Sequence, residues 1–153
     1  MNFENKVVLV TGAARGLGQE YARQFAHRGA NVVACDLRSC DETLAVIEAE
    51  GAVGLALETD VTSADSTAAM AAAVADRFGG IDVLVNNAAL YGSLTFLPFD
   101  QLDEDEWDRT MNVNVKGIWQ CCKAVVPLMK ERGGGSIINI SSLAATYGMP
   151  NGL

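Results

Sequence analysis

Apolar and polar positions along the 153 residues follow two alternating periods. Short β-branched runs with little polar relief read as buried parallel strands at residues 6–10, 31–36, 53–60, 81–85 and 136–140. Between them the apolar residues recur at helical spacing. Leu17, Tyr21, Ala22 and Phe25 mark a helix face after the first strand, stopped at Arg28, Gly29 and Ala30. A short helix covers residues 41–50 and closes at Gly51. Another, capped by Thr62 or Ser63, runs to Phe78 with an Ala-rich core face that includes Met70 and Val74. A single long helix is expected from Asp103 or Glu104 to Arg132, with acids in its first turn and bases in its last. Residues 87–102 form a long polar and aromatic loop.

Strands alternating with helices from end to end imply right-handed crossovers and an α/β fold, a doubly wound parallel sheet in one domain over 1–153. Half the residues are hydrophobic and 20% charged, which suits such a domain. A net charge of −8 argues against nucleic acid and against an anionic membrane surface as partners. No apolar run is long enough to span a bilayer, and residues 1–5 lack the pattern of a secretory signal, so a cytoplasmic location is expected. Cys35, Cys40, Cys121 and Cys122 form no Cys-x-x-Cys pair and the one histidine is His27, so no metal site is expected and the thiols read as small buried groups.

The first strand runs into Thr11-Gly12-Ala13-Ala14-Arg15-Gly16-Leu17-Gly18 and then into a helix. Free backbone N–H groups and the positive end of the helix dipole favour an anion there, and glycine lets a phosphate approach closely. Asp36 closes the second strand, 18 residues beyond Gly18. A carboxylate at that place accepts hydrogen bonds from both ribose hydroxyls and repels a 2′-phosphate, favouring NAD over NADP. Arg15 and Arg38 lie near enough in sequence to pair with a 2′-phosphate, but Asp36 holds the position nearest the ribose. Asp60, Asn86, Asn87, Ala88, Ser141 and Ser142 also fall at expected strand ends, where ligands of such sheets bind.

Thr11-Gly12-x-x-x-Gly16-x-Gly18, Asp60-Val61-Thr62, Asn86-Asn87-Ala88, Asn114 within Asn112-Val113-Asn114-Val115-Lys116-Gly117, and Ile140-Ser141-Ser142 occur in the order and spacing of the short-chain dehydrogenase/reductase family, which the chain resembles over nearly its whole length. Ala89 is a departure, since the family usually has glycine there. The resemblance implies a Rossmann fold of which five strands are present and the last two absent. It implies an oxidoreductase moving a hydride between NAD(H) and a secondary alcohol or ketone, with cofactor chemistry oriented by the protein. By the same resemblance Gly12, Gly16, Leu17 and Gly18 would wrap the pyrophosphate, Asp36 would hold the adenosine ribose, and Arg15 and Leu37 would also bind the cofactor. Asp60 and Val61 would meet the adenine, and Asn87 and Ala88 would line the cofactor between its halves, with Asn86 tying strands together. Asn114 would hold a proton-relay water and Ser142 would hydrogen-bond the substrate oxygen.

The family's general acid/base is a tyrosine followed by lysine one helical turn later. No Tyr-x-x-x-Lys occurs between Ser142 and Leu153, and Tyr147 has Asn151 four residues on. The chain is therefore expected to be the N-terminal part of a longer, homo-oligomeric enzyme, inactive as 153 residues alone. In such a fragment Val115, Ile118, Trp119 and Val126 of the long helix would be unmasked. A non-catalytic dinucleotide-binding module is the alternative; a flavodoxin-like domain is disfavoured by Asp36 and the asparagine and serine motifs. Residues 91–96 and 143–151 would line one side of a pocket whose aromatic and apolar character suits a hydrophobic substrate.

Overall fold

The computed structural model describes residues 2–92, 94–147 and 151. Five parallel strands form one sheet in the order β3-β2-β1-β4-β5. They are β1 (Val7–Thr11), β2 (Asn31–Asp36), β3 (Gly54–Glu58), β4 (Val83–Asn86) and β5 (Ser136–Asn139). Helices α1 (Gly16–Ala26), α2 (Asp41–Ala49) and α3 (Ala64–Phe78) connect the first four strands, and α4 (Glu104–Met111) and α5 (Gly117–Glu131) precede β5. The chain starts in the middle, winds outward to β3, then returns to β4 on the other side of β1. The strand order reverses between β1 and β4, which makes their C-terminal ends the place for a ligand.

Side chains alternate across the strands, so β1 serves two cores. Val7 and Leu9 join Val33, Leu84, Met70, Val74, Cys121, Val125 and Met129 beneath α3 and α5. Val8 and Val10 join Val32, Ala34, Ala22, Ala26 and Ile47 beneath α1 and α2. All five β1 residues are buried, as a strand covered on both faces requires. At the opposite end from the ligand crevice, Asp82 accepts from the Val7 N–H at 2.9 Å and pairs with Lys6 at 3.1 Å and Arg132 at 3.4 Å.

Three expectations are corrected. The buried face of α1 is Gly18, Ala22 and Ala26, whereas Leu17 is 64% exposed and Tyr21 and Phe25 are half-buried. Small residues let this helix lie close on the sheet, and Tyr21 and Phe25 pack at the border of the same core. The third strand is shorter than its apolar run, and the fourth begins and ends later than its pattern suggested. The long helix is interrupted: residues Asn112–Lys116 form a π segment between α4 and α5. At its C-terminal border a Cβ on Gly117 would lie 2.8 Å from Val61 Cγ2, so only glycine brings the helix this near the β3–α3 connection. Ser63 is the cap of α3, its hydroxyl accepting from the Ser66 N–H at 3.3 Å.

Candidate functional site: a dinucleotide cradle at the strand ends

Thr11 ends β1 and is the hub of the crevice. Its buried hydroxyl donates to the Val85 carbonyl at 3.4 Å and accepts from the N–H groups of Asn87 and Ala88, each at 3.1 Å. The Asn87 side-chain amide donates to the carbonyls of Thr11 at 3.0 Å and Gly12 at 3.1 Å. The end of β4 thus holds the start of the glycine loop from the side. Asn87, expected to line the cofactor, uses its Nδ2 to hold the loop that would cradle it. Asn86 does tie strands, donating to Asn139 Oδ1 of β5 at 2.9 Å.

The glycines are required by this closeness. Gly12 has φ +66°, and a Cβ there would stand 2.7 Å from the Ala88 Cα. A Cβ on Gly18 would collide with the Gly12 carbonyl oxygen. Gly16 also has a positive φ, +61°, but faces open space. Its helix, α1, starts with no side-chain cap from Arg15 and no acid in its first turn. The N–H groups and dipole of this helix end are left without a neutralising group of the protein, which is the condition for holding a phosphate. A pyrophosphate therefore fits the cradle on geometry and charge.

On the far side of the loop, one Asp36 oxygen accepts from the Ala14 N–H at 3.1 Å and the other from the Arg38 N–H at 3.1 Å, with Arg38 Nε at 3.6 Å. Its carboxylate is 12% exposed and fixed beside the glycine loop, and each oxygen keeps acceptor capacity. Leu17 and Leu37, 64% and 66% exposed, and Arg15, also exposed, flank this crevice. Asp60 Oδ1 accepts from the N–H and hydroxyl of Thr62, at 2.8 and 2.7 Å, leaving Oδ2 for another donor. Val61 was expected to meet an adenine; it is 8% exposed and packs into the core against Gly117.

Asn114 sits in the π segment. Its Oδ1 accepts from the Leu90 N–H at 2.7 Å and its Nδ2 donates to the Leu90 carbonyl at 3.2 Å. Asn114, expected to hold a proton-relay water, grips the loop after β4 with its side chain. Ser142 is exposed beyond β5, and its oxygen accepts from the Ala144 N–H at 3.1 Å. Ser93 and residues 148–150 of the expected pocket lining lie outside the described residues.

Sequence reasoning missed Thr43. Wholly buried on α2, its hydroxyl donates to the Ala13 carbonyl at 2.7 Å and accepts from the Gln19 amide at 3.1 Å, supporting the glycine loop from below. A threonine on the inner face of a helix was the available signal. Burial pushes the Cys35 thiol up, Cys40 to about 11 and Cys121 to about 12, which disfavours the thiolate at these three positions. Among the described residues no helix is long and apolar enough to cross a membrane.

A model of the short chain dehydrogenase family matches residues 6–153. The chain is 38% identical to a 3-oxoacyl-(acyl-carrier-protein) reductase, FabG, of Thermotoga maritima, over 98% of this chain and 61% of that protein. It is 43% identical to a trans-4-hydroxycyclohexanecarboxylate dehydrogenase of Sinomonas cyclohexanicum, over 95% of this chain and 58% of that one. The solved structure of NAD+-bound xylitol dehydrogenase superposes with a TM-score of 0.91 at 32% identity, covering 99% of this chain and 58% of its own. The chain thus spans about three-fifths of the length of these relatives, 58 to 61%. A parallel sheet with its switch point at β1 and β4, a glycine loop clamped there, and the match over residues 6–153 together establish that this chain belongs to the short-chain dehydrogenase family.

Proposed function

We propose that this chain is the cofactor-binding part of an oxidoreductase that moves a hydride between NAD(H) and a secondary alcohol or ketone. The observation that carries the reading is the glycine loop, held open by Asn87 and Thr11 and flanked by the fixed carboxylate of Asp36. Gly12, Gly16, Gly18 and the uncapped start of α1 hold the pyrophosphate, with Arg15 and Leu17 at its edge. Asp36 takes the adenosine ribose hydroxyls and, with its charge, disfavours a 2′-phosphate; Leu37 packs beside the ribose. Asp60 Oδ2 is the acceptor for the adenine amino group, and Val61 backs that pocket. Ala88 closes the crevice between the two cofactor halves. NAD(H) supplies the hydride chemistry when bound. Ser142 donates its hydroxyl to the substrate oxygen, and Asn114 fixes the shape of the helix and loop around it.

The decisive experiment is a fluorescence titration with NADH and NADPH, followed by turnover of a panel of ketones. NADH is expected to bind the more tightly, and Asp36→Asn to shrink the preference by about tenfold, about 1.4 kcal/mol. Equal or tighter NADPH binding overturns the assignment. The 153 residues alone, without a Tyr-x-x-x-Lys after Ser142, are expected to bind NADH and leave ketones unreduced.

Trp107, Met111, Val115 and Trp119 recur every four residues and are each 39 to 56% exposed, an apolar stripe along α4, the π segment and α5. We assign it to contact with a second copy of the protein. Light scattering of the whole protein and of Trp119→Lys tests this, with loss of oligomer expected. Free, mostly buried thiols and a net charge of −8 agree with a cytoplasmic protein acting on small molecules.

A further inference from the structure

Among the described residues Glu106 is the only charged side chain that is buried, at 7% exposure. A carboxylate loses its hydration there and persists only if its oxygens are hydrogen-bonded. Both oxygens go to one residue: Oε1 accepts from the Thr95 N–H at 2.9 Å and Oε2 from the Thr95 hydroxyl at 2.9 Å. Thr95 lies in the loop after β4, which Asn114 already grips at Leu90. The same helical column therefore anchors the loop twice. Between the anchors the Tyr91 carbonyl accepts from the Leu94 N–H at 3.2 Å, and Tyr91 is 71% exposed. Tyr91 stands three residues after Ala88, which abuts Gly12 at the switch point.

We propose that Glu106 is a positioning residue that fixes Tyr91 and Leu94 as part of one wall of the substrate side, and so sets how large a substrate enters; this rests on the oxidoreductase reading above. An apolar side chain would fill the same space at no desolvation cost. A side chain that ends in two polar atoms holds both the N–H and the hydroxyl of Thr95, which fixes the loop in register as well as in place.

The test compares the whole wild-type protein with Glu106→Ala, Glu106→Gln and Thr95→Val. The probes are propan-2-ol, cyclohexanol and 1-phenylethanol with NAD+, NADH binding, and chymotryptic cleavage after Tyr91. Glu106→Ala is expected to change KM by about tenfold for the two larger alcohols while KM for propan-2-ol and NADH affinity stay near wild type. Cleavage after Tyr91 accelerates in the same variant, because local opening rather than global unfolding controls it. Glu106→Gln keeps an oxygen for the N–H and an amide for the hydroxyl, and restores both readouts. Thr95→Val, which loses one of the two bonds, falls between and carries the test if Glu106→Ala does not fold. Unchanged cleavage, or KM changes equal for all three alcohols, overturns the proposal. If wild type binds no NADH, the oxidoreductase reading fails, and the cleavage comparison still judges the clamp.

Discussion

Strands β1 and β5 belong to one sheet and are written in a similar alphabet, Val-Val-Leu-Val-Thr and Ser-Ile-Ile-Asn, yet their environments are opposite. Every residue of β1 is buried, whereas every residue of β5 is exposed, with Ile137 and Ile138 each at 41%. The difference lies in neighbours. β1 has a strand on each side and helices over both faces, while β5 pairs only with β4 among the described residues. An apolar run states that a segment prefers burial. It does not state what supplies the cover.

The contrast can be broken most severely in the core. Leu9→Ala removes a side chain with no exposure and is expected to cost about 2–5 kcal/mol, while Ile137→Ala costs about 1 kcal/mol or less. Chemical denaturation of the two variants checks this, and equal losses would mean that β5 is covered in solution. Next in size is Asn87→Ala just after β4, which strips the carbonyls of Thr11 and Gly12 at the end of β1 of their shared donor. A loss of about 1–3 kcal/mol is expected, with weaker NADH binding in a fluorescence titration. Ile138→Lys sharpens the other side of the comparison. A charge on an uncovered edge strand should lower self-association of the 153-residue chain, read by light scattering, with stability changed by about 0.5 kcal/mol or less.

The smallest effect is electrostatic and far from both strands. The Arg23 guanidinium holds the Glu20 carboxyl down to about 2, and with His27 it lowers Glu50 as well. Carboxyls depressed on folding add stability above their ordinary value of 4.5 and lose it as pH falls toward 2. All three groups of the Glu20–Arg23–Glu50 cluster are solvent-accessible, so the contribution is small. Melting of wild type and Arg23→Ala should differ slightly at neutral pH and converge as pH drops through that window.

The strand and helix order was legible because hydrophobic period and glycine stops are local signals. The site was legible as a set of positions at strand ends, for the same reason. What Asn87, Asn114 and Val61 touch was not. Each is drawn inward by a partner remote in sequence: the carbonyls of Thr11 and Gly12, the backbone of Leu90, and the flank of Gly117. A motif records which residue stands at a position, and tertiary neighbours decide which of its atoms remain free for a ligand. The inner face of α1 escaped for a related reason. Close approach to the sheet selects Gly18 and Ala26 beside Ala22, and periodicity of bulk does not flag those two.

The contact of Gly117 with Val61 has a consequence for anyone who would remodel this scaffold. One partner backs the proposed adenine end; the other follows the π segment that carries Asn114. Because no methyl group fits between them, a bulkier residue at 117 requires a smaller one at 61. The connection after β3 and the start of α5 are therefore inherited as a matched pair at this point. Chimeras that exchange the first half of the domain without the long helix should be built with both positions from the same parent.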